Sequence, residues 1–240
     1  MSLLGETSPL PEKIVKRKTV VYKSRIDPTV IKLTAEKMKS RLFTKAGLFK
    51  PGPEEIRVVS IERSYEPYVV VDGRYRVDYF KKRVFTFDIG NEASGLKILD
   101  EDFEPEILRD AVGTRKVVRI EGEERRSYED KAYLILDSSG REVSPDVVPS
   151  APCEEHPTKV LKEHKHRVEQ LDMSPAQAID AVRSKIVHRP QDLEGVGDEV
   201  FEVSEFAVIY SPIFEITFRN VATGEEKSVK VDGVTAKIIA

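Results

Sequence analysis

Two prolines, each directly behind a good helix-capping residue, organise this sequence. Asp27-Pro28 and Ser174-Pro175 both offer a side-chain acceptor at the N-cap and a proline at the first helical position, where a missing N–H costs nothing. Behind the first come Ile31, Ala35, Met38 and Leu42; behind the second come Ile179, Val182 and Ile186. Both spacings place the apolar residues on one face of an amphipathic helix. Gly47, Pro51 and Pro53 end the first helical region, and Pro190, Gly195 and Gly197 the second.

Strand-like runs follow each helix. In the first copy they are residues 56–63 and 68–71, on either side of Pro67; in the second they are 200–210 and 213–218, around Pro212. Proline cannot donate to a ladder, so each marks a strand start or a bend. Asp72-Gly73 and Thr223-Gly224 then read as hairpin turns. The pattern predicts an α+β fold built from tandem helix-plus-antiparallel-sheet (α-β-β-β) repeats. Its parts are a basic N-terminal segment (1–26), a first repeat (27–100), a variable middle (101–172) and a second repeat (173–240). Within the middle, 105–112 reads as a short helix, and 116–120 and 131–136 read as strands. Residues 144–152 read as a proline-rich linker, and 158–171 as a charged helix.

The second repeat resembles PepSY-type domains, which are small α/β modules. The likeness rests on residues 174–182 (Ser-Pro-Ala-Gln-Ala-Ile-Asp-Ala-Val), 212–218 (Pro-Ile-Phe-Glu-Ile-Thr-Phe) and the closing 229–238. Such modules end with a strand, an Asp, a Thr-Gly turn and a last short strand; here the turn reads Thr235-Ala236, without the glycine. The resemblance covers about 65 residues and implies a non-catalytic domain that binds or inhibits a partner, often outside the cytoplasm. It supplies no catalytic residues.

Composition narrows the classes further. The chain has 240 residues, 40% of them apolar, enough for a core, and 34% charged against an ordinary ~25%. No apolar run approaches the ~18 residues of a membrane span. The start lacks the charged and apolar regions of a secretory signal, and there is one cysteine, so a cytoplasmic protein without disulfides is expected. Scarce Asn and Gln beside abundant Lys, Arg and Glu form a thermophile-like composition, with surface ion-pair networks to match. The net charge of −3 hides an asymmetry. Residues 1–50 hold 12 Lys and Arg against four acidic residues, a net +8, which leaves −11 for the rest.

Phosphate-loop and dinucleotide fingerprints are absent, no pair of carboxylates stands out as acid and base, and no cofactor is implied. Three groups of residues are candidates for binding. Tyr65, Tyr68, Tyr75 and Tyr79 form an aromatic patch able to hold a ligand or partner, although alternating aromatics on strands ordinarily belong to a core. Lys13, Lys16, Arg17, Lys18, Lys23 and Arg25 form a basic run able to follow anions such as nucleic-acid phosphates. Their alternation with Ile14, Val15, Val20 and Val21 favours a strand added to the body. Cys153, His156, His164 and His166 have zinc-ligand chemistry. However, two histidines two apart on a helix point about 200° away from each other. The reading that follows is a non-catalytic binding or regulatory protein acting through its sheet surfaces or the groove between repeats. The alternatives are a nucleic-acid-associated protein or a zinc-binding one.

Overall fold

The computed structural model describes residues 10–43, 52, 54–111 and 113–239. In chain order the elements are β1 (Glu12–Ile14), β2 (Lys18–Val21), α1 (Pro28–Glu36), α2 (Lys39–Leu42), β3 (Ile56–Asp88), β4 (Leu96–Ile98), β5 (Glu101–Phe103) and β6 (Glu106–Asp110). They continue with β7 (Gly113–Leu136), α3 (Pro157–Glu163), α4 (Pro175–Ile186), β8 (Gly195–Asn220), β9 (Glu226–Asp232) and β10 (Ile238–Ile239). About half of the chain is strand, in one large, mostly antiparallel sheet of order β10-β9-β8-β3-β7-β6; β1 and β2 also pair with β8, and β4-β5 stand apart as a hairpin. Among the described residues no helix is long and apolar enough to cross a membrane.

The α+β repeat is therefore corrected to a predominantly β fold. The first copy fails at Asp72-Gly73, where a turn was expected. β3 runs through it for 33 residues, and Val69, Val71, Tyr75, Val77 and Tyr79 stay buried in one unbroken alternation. Gly73 serves packing instead: a Cβ there would overlap Val182 of α4. β3 and β8 likewise continue through Pro67 and Pro212. Residues 106–110 form a strand rather than a helix because β7 offers them a partner, Glu106 standing opposite Val117 and Asp110 opposite Gly113. The two strands expected within 113–136 are one. Its charged middle carries ion pairs such as Arg83–Glu124 at 2.9 Å and Arg126–Asp192 at 3.1 Å.

Both helix starts are as expected. Asp27 caps α1 by accepting from the Thr29 N–H at 2.7 Å. Ser174 and Gln177 form a reciprocal capping box at α4, with Gln177 N to Ser174 Oγ at 3.3 Å and Ser174 N to Gln177 Oε1 at 2.8 Å. Ile31 and Ala35 of α1, and Ile179, Val182 and Ile186 of α4, are buried as their spacing requires. The stop at Gly47, Pro51 and Pro53 lies outside the described residues. The β8–β9 hairpin turns at Gly224, whose φ is 74°.

The chain forms two compact units. Unit 1 comprises residues 1–12, 75–130 and 187–201; unit 2 comprises 13–74, 131–186 and 202–240. The core of unit 2 has two clusters. One joins Ile31, Ala35 and Phe43 to Phe214, Ile216, Phe218, Val229 and Val231. The other gathers Tyr22, Tyr68, Val70, Ile135, Ile209 and Val234. In unit 1, Tyr75, Val77, Tyr79, Val117, Val118 and Phe201 are buried.

Candidate binding site

The four candidate tyrosines face inward, and all are buried. In unit 1, the Tyr75 hydroxyl donates to Glu199 at 2.6 Å and that of Tyr79 reaches Asp192 at 3.5 Å. In unit 2, Tyr65 packs against the His164 ring, centroids 5.4 Å apart, beneath the Arg63 guanidinium. Burial first, then neighbouring carboxylates, push the Tyr68 and Tyr75 hydroxyls well above the ordinary tyrosine range. These residues are core with polar tips, as alternation on a half-buried sheet requires.

The basic segment is laid onto β8. Residues 18–21 run parallel to 207–210, and Val15 N donates to Val203 O at 3.2 Å. Lys13 pairs with Glu202 at 2.9 Å. Lys16, Arg17, Lys18 and Arg25 remain exposed, and Lys23 is half-buried.

The cysteine and histidines take separate roles. Cys153 lies opposite Tyr22 in an antiparallel bridge. His156 precedes Pro157 at the start of α3, and His166 sits in a short 3₁₀ turn. His164 accepts from Arg63 through Nε2 at 3.1 Å, which leaves the proton of the neutral ring on Nδ1. Among the described residues, no group of three or more His, Cys, Asp or Glu side chains is placed to hold a metal ion.

A different set of residues forms a polar hollow of about 250 Å³ within unit 2, lined by Glu66, Tyr68, Asp137, Arg141, Glu169 and Lys230 against Pro67, Val143 and Val147. β3 supplies Glu66 and Tyr68, the turn after β7 supplies Asp137 and Arg141, and β9 supplies Lys230. Glu66 accepts from the Tyr68 hydroxyl at 3.2 Å and from Lys230 at 3.3 Å. Glu169 accepts from Ser138 Oγ at 2.9 Å, and its own N–H donates to Tyr65 O at 2.9 Å, fixing the segment to β3. Asp137 accepts from the N–H groups of Ser139 and Arg141, both at 3.0 Å, and from Arg141 Nε at 3.0 Å. Burial opposes its charge, but the bond from Ser139 Oγ at 2.7 Å, together with these, wins and holds the carboxyl below the usual range.

Every carboxylate here is thus already bonded by the protein, and neither histidine nor cysteine lines the hollow. The arrangement holds charge in fixed positions and presents no activated nucleophile. Sequence reasoning did not find this hollow. The one local signal was Asp137, an acceptor two residues ahead of a turn. Compared with known proteins, the chain matches no family model, no curated protein and no solved structure.

Proposed function

We propose that this is a non-catalytic binding or regulatory protein, and that the polar hollow of unit 2 receives a cationic group on a short stem, such as an arginine or lysine side chain of a partner. The observation that carries this reading is the fixed set of three carboxylates, Glu66, Asp137 and Glu169, against two cations, Arg141 and Lys230, beside an apolar wall. The surplus of negative charge favours a cation, and Pro67, Val143 and Val147 suit its methylenes. At about 250 Å³ the hollow lies just under the ~300 Å³ of the smallest drug-sized pockets, and it suits a single side chain. The likeness of the C-terminal residues to PepSY-type modules, which bind or inhibit partners, points the same way.

Titration of the full chain with N-acetyl-arginine amide, followed by NMR shifts, tests the reading. Saturable shifts around Tyr68 and Ser138, weakened about tenfold in Glu169→Gln, are expected. No saturable shift, or a robust turnover activity abolished by one substitution, would overturn it.

A second reading, nucleic-acid association, is supported by Lys16, Arg17, Lys18 and Arg25 remaining exposed after the segment has docked. It requires a low-salt gel shift that weakens steeply with salt and is lost in the Lys16→Glu/Arg17→Glu/Lys18→Glu variant. Absence of any shift at low salt dismisses it.

A further inference from the structure

Leu99 occupies a position that its own fold gives it no reason to occupy. β4 and β5 pair Leu96 with Phe103, Lys97 with Asp102 and Ile98 with Glu101, so the hairpin loop is the dipeptide Leu99-Asp100. Leu99 has φ 49°, in the left-handed region where such loops favour Gly, Asn or Asp. It is also 92% exposed, the most open large apolar side chain among the described residues. A leucine here is strained and solvated at once, and burial within the chain compensates neither. Asp100, Glu101, Asp102, Glu104 and Glu106 surround it in sequence, all exposed, with Lys97 the one cation from 96 to 106. The hairpin therefore presents an exposed leucine flanked in sequence by Asp100, Glu101 and Asp102.

Unit 2 carries an exposed run of cations, Lys16, Arg17 and Lys18, beside a hollow. A hollow of about 490 Å³ is lined by Val15, Lys16, Lys18, Asp72, Ser204, Glu205 and Phe206. Ser204 Oγ donates to Asp72 Oδ2 at 2.8 Å, which engages that carboxylate internally. Lys16, Arg17 and Lys18 are exposed and have no ion-pair partner among the described residues. Val15 is 41% exposed and supplies apolar surface next to Lys16, while Phe206 beneath is buried.

We propose that the Leu99 hairpin tip docks into the Val15/Phe206 hollow of a second copy of this chain, its carboxylates facing Lys16, Arg17 and Lys18. The occupant is assigned as a second copy because the chain carries both complementary halves, an exposed leucine among carboxylates and an exposed Val15 beside Lys16, Arg17 and Lys18. This self-association stands apart from the cation-binding hollow at Tyr68 and uses none of its residues.

Sedimentation velocity on the full chain, from micromolar to submillimolar concentration and at low and high salt, tests the proposal. Reversible association that weakens with salt is expected. Leu99→Gly is the decisive variant, because it relieves the backbone strain while removing the leucine side chain. It should keep or raise the melting temperature and still weaken association about tenfold. Lys16→Glu/Lys18→Glu should weaken association similarly, and adding Asp100→Lys/Asp102→Lys to that variant should restore part of it. A chain that stays monomeric at low salt overturns the proposal. So does association that Leu99→Gly and the lysine variant leave unchanged, since another face would then be responsible. Arginine-amide shifts at Tyr68 should persist in Leu99→Gly, so failure of either idea is read separately.

Discussion

Val182 of α4 rests its Cγ1 against the bare α-carbon of Gly73 in the middle of β3, closer than any side chain at position 73 permits. Both residues are buried in unit 2, and this contact sets how near the helix approaches the strand. Gly73→Ala therefore overpacks the contact and should destabilise the protein by about 1–3 kcal/mol. Val182→Ala opens space at the same point, so the double variant should lose clearly less than the sum of the two single losses. Guanidinium unfolding of the four proteins measures this, and strict additivity would contradict the contact.

Asp232 and Ala236 make the opposite prediction for a glycine. The Asp232 carboxylate accepts from the N–H groups of Val234 at 2.8 Å and Thr235 at 2.6 Å, and from Thr235 Oγ1 at 2.9 Å. The turn so built places Ala236 at φ 59°. Left-handed backbone costs a non-glycine residue about 1–2 kcal/mol, and glycine loses about 0.5–1 kcal/mol more chain entropy on folding. Ala236→Gly should therefore stabilise by roughly 0.5–1 kcal/mol. Asp232→Ala should destabilise by about 1–3 kcal/mol, since it strands the donors of a buried turn. The two shifts in unfolding midpoint should have opposite signs.

His164 should make stability depend on pH near neutrality. Burial first, then the charges of Arg63 and Arg167, hold its pKa below the usual histidine value, while Glu163 works the other way. Tyr65 faces the ring without charge. The unfolded state thus takes up a proton at a higher pH than the folded state does. Stability from the neutral ring is fully present above the unfolded value of about 6.5 and is lost as pH falls from there toward the folded value. Melting temperatures between about pH 5 and pH 8 should fall with acid in the parent and fall less in His164→Gln. Parallel curves would exclude His164 as the source.

Legibility from sequence divides along local and non-local signals. The starts of α1 and α4 could be read because Asp27 and Ser174 act on N–H groups two or three residues away, and the buried faces followed from spacing alone. The continuity of β3 through Pro67 and Gly73 could not be read in this way. It is decided by neighbours distant in the chain, including Val182, and a glycine that fits a turn also fits a tight helix-on-strand contact. The same ambiguity turned four tyrosines on strands into a candidate patch when their places were in the core. The Tyr68 hollow draws on β3, the turn after β7, Glu169 and β9. No window of sequence contains it, and the carboxylates that define it look like any others on a chain this charged.

The Tyr75–Glu199–Arg189 cluster in unit 1 should set part of the acid limit of stability. Glu199 is nearly buried; it accepts from Tyr75 at 2.6 Å, and Arg189 donates Nε at 2.9 Å and Nη2 at 2.6 Å to its two oxygens. Arg189 lowers its pKa most, burial opposes that effect, and the Tyr75 hydroxyl adds to the lowering. The folded state therefore holds the carboxylate charged at a pH where the unfolded chain has taken up a proton. This contribution is fully present above the unfolded carboxyl value and disappears as pH falls through the lower folded one. Glu199→Gln should cost about 1–3 kcal/mol at neutral pH, because Arg189 and Tyr75 lose a charged acceptor. Its melting temperature should also decline less steeply between about pH 5 and pH 2, so the parent and variant curves converge in acid. Tyr75→Phe removes one donor and leaves the Arg189 pair in place, so it should keep most of the parent's acid dependence. Curves for Glu199→Gln that stay a constant distance below the parent would mean the carboxylate titrates alike folded and unfolded, contrary to this geometry.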